Sequence, residues 1–328
     1  MKNGENNPID AVITWVDGDD PAHQEKMRPY LNAVDAGLDD VAGSTRFKSI
    51  KEIYFCVASI YRFAPFIRKI FIVTDNQNPE LEPFLKENFP EGPNIPIEIV
   101  DHTTIFKGYE QHLPLFSSRA IESGLYRIPG LSENYIYFND DVMLSGPFEP
   151  EDWFVDDKVV IRGHIRNMIL DKFISSLKPR KNGHKPIGFK DGMRKSAELV
   201  GSKYQYFYNS HTPHPAKKSA LEQFHKEHPG KLAKNISYRF RHADQYNPQA
   251  LFYMYMLKEK RNQLIIKNEK ELYIKPVNRG ELYVKRKIRD FDRKHPRLIC
   301  VQSLDQATET DRQTILNWLG SILNIRVD

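Results

Sequence analysis

Short apolar runs that end in polar residues recur along the chain, and their spacing predicts strands alternating with helices. Ile9 to Val16 reads as a buried strand, closed by the turn signal Asp17-Gly18-Asp19-Asp20-Pro21. A helix-like stretch from about Pro21 to Ala33 and an acidic loop from Asp35 to Gly43 follow. Phe47 to Phe63 carries Ile50, Ile53, Tyr54, Val57, Ile60 and Tyr61 at helical spacing, and Pro65 ends it. Lys69 to Asp75 is a second buried strand, Pro79 to Asn88 a short helix, and Ile95 to Val100 a third strand ending at Asp101-His102. Phe116 to Tyr126 reads as a helix, and Tyr135 to Phe138 as a fourth strand that stops abruptly at Asn139-Asp140-Asp141. This rhythm predicts an α/β fold with a mostly parallel sheet flanked by helices.

Beyond it the pattern becomes more helical. Lys178 to Arg194 is rich in Lys, Gly and Pro and reads as an excursion. Helices are expected over Lys195–Phe207, Ser219–His228, Pro248–Lys260 and Glu309–Asn324, with short strands at 272–274, 282–287 and 298–301. The reading divides the chain into an α/β core (1–165) and a helix-rich basic portion (166–328) that completes the same domain.

Charge sharpens that division. Residues 1–164 carry 15 Lys and Arg against 27 Asp and Glu, whereas residues 165–328 carry 33 against 16. The basic portion suits an anionic partner such as a nucleotide diphosphate, an anionic polymer or a membrane face. The acidic portion and its strand-end carboxylates argue against nucleic acid. No run approaches the roughly 20 apolar residues of a membrane span, and the polar N-terminus lacks a signal peptide's apolar centre, so a cytoplasmic location is expected, with the inner membrane face as a variant. Cys56 and Cys300 sit in apolar contexts and are expected to be buried free thiols.

Two carboxylates and an amide at the end of a buried strand can hold a hard divalent cation, and the carboxyl ends of strands are where open α/β sheets bind ligands. An ordinary Asx turn is the alternative reading of Asn139, Asp140 and Asp141. Asp17-Gly18 and Asp75 end two other strands and could meet a nucleotide, or simply form solvated turns. Neither a dinucleotide-binding glycine motif nor a P-loop is present. His211 and His214 lie in a proline-bracketed loop, which disfavours a helical zinc pair and suits acid–base work or phosphate contact. Arg241, within Tyr238-Arg239-Phe240-Arg241-His242, suits a diphosphate clamp. Glu122, read on its own, is a solvated helical side chain.

These residues resemble the Stealth family, a group of hexose-1-phosphate transferases that includes capsule polymerases and the lysosomal-enzyme GlcNAc-1-phosphotransferase. Four blocks carry the resemblance. They are Ile9 to Pro21; Arg46 to Asp141, with Leu113-Pro114-Leu115-Phe116-Ser117-Ser118 and Ala120-Ile121-Glu122; His211 to Asp244; and Leu298 to Asp305. The last departs from the family, which usually has Asn-Asp where this chain has Gln302-Ser303.

The resemblance implies a GT-A-like, Rossmann-related core. It places Asp141 on the metal and Glu122, His214 and Arg241 in the active site. Mg²⁺ or Mn²⁺ is expected on Asp141 with Asp140, and the nucleotide near Thr14, Trp15, Asp17, Gly18, Asp75 and Asn139. The expected reaction moves an N-acetylhexosamine-1-phosphate, or a related hexose-1-phosphate, from a UDP-sugar to a glycan hydroxyl. UMP is released, in the service of cell-surface or capsular polysaccharide synthesis. Glu122 and His214 both stand as candidate bases. A glycosyltransferase releasing UDP and a non-catalytic binder of anionic polymers are the alternative functions. Peripheral membrane association is a further expectation.

Overall fold

The computed structural model describes residues 7–31, 50–176 and 188–326. Its strands are β1 (Ile9–Thr14), β2 (Ile70–Thr74), β3 (Ile97–Asp101), β4 (Asn134–Asn139), β5 (Val142–Leu144), β6 (Phe154–Val155), β7 (Lys158–Asn167), β8 (Gln205–Asn209), β9 (His214–Lys217), β10 (Leu264–Lys267), β11 (Leu272–Ile274) and β12 (Leu298–Val301). Its helices are α1 (Pro21–Leu31), α2 (Glu52–Phe63), α3 (Leu81–Asn88), α4 (His102–Ile105), α5 (Ser118–Glu122), α6 (Met168–Ser176), α7 (Phe189–Leu199), α8 (Lys218–Glu227), α9 (Lys231–Ile236), α10 (Pro248–Glu259), α11 (Glu281–Lys294) and α12 (Glu309–Leu323).

The main sheet has the order β3-β2-β1-β4-β9. The first four strands run parallel, as the alternating pattern predicts, and β9 closes the edge antiparallel to β4. β1 and β2 are apolar along nearly their whole length because the sheet is covered on both faces. The chain grows from β1 through β2 to β3 in one direction, while β4 joins β1 on the other side, so the switch point lies between the carboxyl ends of β1 and β4. A buried carboxylate paired with an exposed arginine fixes the start of β1: Arg68 donates twice to Asp10, at 2.8 and 2.7 Å, and Ser132 N donates to the same carboxylate.

Two smaller sheets support this one. β7 pairs with β6, β8 and β10, and β12 joins β11 to β5. β5 follows β4 directly, and Val301 N donates to Asp141 O at 2.9 Å, so the third sheet anchors the turn that ends β4. Cys56 and Cys300 are free and buried, as expected.

Several elements differ from the sequence reading. The stretch expected as one helix over 195–207 is the C-terminal half of α7 followed by β8, with Gly201 at φ 79° between them. Residues 282–287 lie in a helix, α11, whose Tyr283, Val284, Ile288 and Phe291 face the core at helical spacing; the short Leu-Tyr-Val run alone imitates a strand. The Phe116–Tyr126 helix is α5 followed by a separate 3₁₀ turn. α2 begins at Glu52, and the expected acidic loop at 35–43 and most of the 178–194 excursion lie outside the described residues.

Candidate active site

The end of β4 is held open between neighbours. Thr14 on β1 lies opposite Asn139, and Tyr137 lies opposite His214 on β9. The Tyr137 hydroxyl sits 2.8 Å from Thr14 Oγ1 and donates to Asn139 Oδ1 at 2.5 Å, which ties β1 to β4 beneath the switch point. Asp140 and Asp141 occupy the turn that follows, at the edge of a cleft of about 1140 Å³.

Burial, and then each acid's carboxylate neighbours, push both carboxyls up to about 7. For Asp140 the main neighbour is Asp141, and for Asp141 it is Glu52, the first residue of α2. Glu52 is itself pushed up to about 7, by burial and then by Asp140. Sequence reasoning missed Glu52. Its one signal was a carboxylate heading a helix that is otherwise almost wholly buried. Among the described residues no three His, Cys, Asp or Glu side chains are grouped closely enough to cage a metal on their own. Mg²⁺ commonly takes one or two carboxylates and completes its shell with water and substrate phosphate, so the Asp140–Asp141 pair, uncompensated and repelling, fits such an ion.

Glu122 is not the solvated side chain that its helical setting suggested. It is 8% exposed on α5 and faces the same cleft. Burial pushes its carboxyl up to about 7, against the opposing effects of Arg241, Gln249 and Tyr137. Arg241 reaches α5 from the loop after α9 and donates to Ser118 Oγ at 3.2 Å. Gln245 shapes that loop from a fully buried position. It accepts from Ser117 Oγ and His242 N, and donates to Asn235 O. Asn235 in turn donates to Arg119 O at 2.9 Å.

His214 is the first residue of β9 and is 7% exposed. Its Nδ1 lies 3.1 Å from the Tyr253 hydroxyl and its Nε2 3.4 Å from Asn209 Nδ2. Burial, with His211 and Arg162 adding to it, lowers the imidazole to about 3 and keeps it neutral. His211, also on the cleft wall, is stacked between Phe189 and Tyr273, with ring centroids at 4.7 and 5.1 Å.

Thr14, Trp15, Asn139, Asp140, Asp141, Glu122, His214 and Arg241 thus converge on one cleft. Asp17, Gly18 and Asp75 do not line it. Gln77 staples the turn at Asp17, donating to Asp17 O at 2.9 Å and to Asp20 Oδ2 at 2.7 Å, while Gln24 donates to Gly18 O. Asp75 faces Lys26 at 3.0 Å and His23 at 3.6 Å. Burial opposes its ionisation, but these two partners prevail and hold the carboxyl at about 2. Lys190, Asp191 and Arg194 of α7, with Arg119 of α5, add charged walls that the sequence had not singled out.

Fold and cleft define an α/β protein with a charged pocket at the switch point of its main sheet, lined by carboxylates and by guanidinium groups set among them. Residues 7–35 match Stealth protein conserved region 1 and residues 46–161 match conserved region 2. The chain is 30% identical over 262 residues to the capsular polysaccharide phosphotransferase WcwK of Streptococcus pneumoniae, a match covering 74% of this chain and 76% of WcwK. It is 38% identical over 151 residues to the receptor polysaccharide phosphotransferase WefC of Streptococcus oralis, covering 46% of this chain and 42% of that protein. The chain belongs to the Stealth family. Among solved structures it is similar to the galactosyltransferase LgtC in complex with donor and acceptor sugar analogs, at 12% identity and a TM-score of 0.46, over 97% of both chains. No helix among the described residues is long and apolar enough to cross a membrane.

Proposed function

We propose that this protein transfers an N-acetylhexosamine-1-phosphate, or a related hexose-1-phosphate, from a UDP-sugar to a glycan hydroxyl in polysaccharide synthesis. The observation that supports this most is the meeting of Asp140 and Asp141 with Arg241 and Glu122 in one cleft, in a chain whose relatives are named polysaccharide phosphotransferases.

Asp140 and Asp141 are the residues that would hold Mg²⁺ or Mn²⁺, which when bound neutralises diphosphate charge. Arg241, fixed against Ser118, is placed to donate to the oxygens of the transferred phosphoryl group, whose charge is spread outward in a loose transition state. The acceptor oxygen bonds to the sugar-bearing phosphorus, the bond from that phosphorus to the bridging oxygen breaks, and UMP leaves with the electron pair. Glu122 takes the acceptor proton, because a carboxyl near 7 is matched to a neutral operating pH. His214, kept neutral and seated on Tyr253, orients substrate as a hydrogen-bonding group. Thr14, Trp15 and Asn139 line the wall where the nucleotide rests.

Phosphorus NMR of the product, after incubation with a panel of UDP-sugars, Mg²⁺ or Mn²⁺ and a glycan acceptor, tests this reading. UMP and a new phosphodiester resonance are expected. Release of UDP with a phosphorus-free glycan would make the protein a glycosyltransferase instead. Retention of every donor intact would point to a binding module.

A further inference from the structure

Helix α6 turns its acid inward. Its single acid, Asp171, is 5% exposed and accepts from the Tyr206 hydroxyl, while Arg166 and Lys190 pair with it at 3.0 and 3.5 Å. Four of its apolar residues point the other way, while Met168 is buried. Ile169, Leu170, Phe173 and Ile174 are 47–62% exposed, and Ile165 on β7 and Tyr204 extend the same surface at 45% and 64%. The backbone joins these pieces directly, since Met168 N donates to Tyr204 O at 2.7 Å. A contiguous apolar surface of this kind on a soluble fold marks a place of contact.

Its rim is cationic. Lys172 and Lys203 are exposed, while Arg166 and Lys190 are half-buried and paired with Asp171. Asp171 is turned inward under two cations, and Glu198 is paired with Lys172 at 2.7 Å, so the outward face of α6 itself presents no carboxylate. Exposed aliphatic chains, an aromatic at the margin and lysines able to reach outward form the pattern of a helix lying in the interface plane of a bilayer.

We infer that α6, with Ile165 and Tyr204, is a docking surface for an anionic lipid membrane, into whose headgroup layer Ile169, Leu170, Phe173 and Ile174 insert. Lys190 connects this surface to the cleft, because it pairs with Asp171 and also lines the cleft wall. Docking therefore brings the α7 wall of the cleft, behind α6, near the membrane. This inference stands on the exposed face and does not depend on the reaction proposed above.

Vesicle flotation with the full chain tests it. Phosphatidylcholine vesicles containing phosphatidylglycerol should carry the protein upward, pure phosphatidylcholine should carry much less, and raised salt should weaken the association. The double substitution Ile169→Ser and Phe173→Ser should reduce vesicle binding by about tenfold or more, with unchanged circular dichroism and unchanged donor turnover on a soluble acceptor. Phe173→Trp supplies an independent reading: its emission should shift to the blue on adding anionic vesicles, over and above the response of the unsubstituted chain. Failure of the unsubstituted chain to float, or equal flotation of the double variant, overturns the inference. So does sedimentation showing a dimer that the double variant dissolves without any vesicle binding, since the face would then belong to a second copy.

Discussion

Replacing Asp141 with Asn should make the metal-free protein more stable while abolishing turnover. The Asp141 carboxyl is pushed from 3.8 up to about 7, by burial and then by Glu52. An acid whose folded value is raised opposes folding only when ionised. The penalty is absent below its unfolded value near 4, grows as pH rises towards 7, and is complete above that. Three units at about 1.4 kcal/mol each set a ceiling of about 4 kcal/mol. Asp140 and Asp141 share one repulsion, and the side chain is partly open to the cleft, so a gain of about 2 kcal/mol is the working figure. Urea unfolding in the presence of a chelator is the assay. The two proteins should differ little at or below pH 4, separate progressively through pH 5–7 and differ fully by pH 8, with the variant the more stable. Adding Mn²⁺ should then stabilise the unsubstituted protein and leave the variant nearly unmoved. A variant less stable at pH 8, or stabilised equally by Mn²⁺, would remove the case for a cation on this carboxylate pair.

Glu122→Gln should lower kcat by roughly 10²–10⁴-fold and flatten the acid limb of the pH–rate profile near 7, which stopped-flow or product assays across pH 5–9 would reveal. Retention of that limb would assign the proton elsewhere. Arg241→Ala should depress kcat/KM by about 10²-fold or more, with Arg241→Lys restoring only part, since an ammonium cannot reproduce the planar fork; steady-state kinetics would check both. Asp10→Ala leaves Ser132 N without its acceptor and Arg68, itself exposed, without its carboxylate, so a loss of about 1–2 kcal/mol in urea unfolding is expected.

The parallel core was legible because its strands are apolar throughout and end in polar turns, which leaves few other structures open to them. β7 was not, because it carries a charge inside. Arg162, 1% exposed, packs over Trp153 at 4.2 Å and is neutralised by Glu269 at 2.8 Å, a residue more than a hundred positions away. Nothing in Lys158–Asn167 announces that compensation. Glu122 was hidden for the same reason. Its helix is only five residues long, and the groups that surround it, Arg241, Gln249 and Tyr137, come from three distant segments. The resemblance to the Stealth family placed it in the site before geometry could. α6 was not singled out at all: its short apolar run carries no signal of which way it faces, and only the fold shows that most of it faces out.

The charge imbalance along the chain acquires a spatial meaning in the cleft. Glu122, Asp140 and Asp141 from the acidic portion line it together with Lys190, Arg194 and Arg241 from the basic one, while Arg119 and Asp191 cross that division. β9 carries the basic portion into the main sheet, where its register with β4 sets His214 opposite Tyr137. The two portions therefore meet in this one cleft. A diphosphate suits such a cleft, since it can be met by a cation on the carboxylates and by the guanidinium groups set among them. Neither set would suffice alone, because carboxylates without a cation repel the ligand and arginines without carboxylates leave no place for one. If the two sets together are the working unit, reversing one charge by Arg241→Glu should weaken binding of a UDP-sugar even when Mn²⁺ is saturating, and calorimetric titration would show it. Unaltered donor affinity in that variant would mean that Arg241 acts only on the transition state.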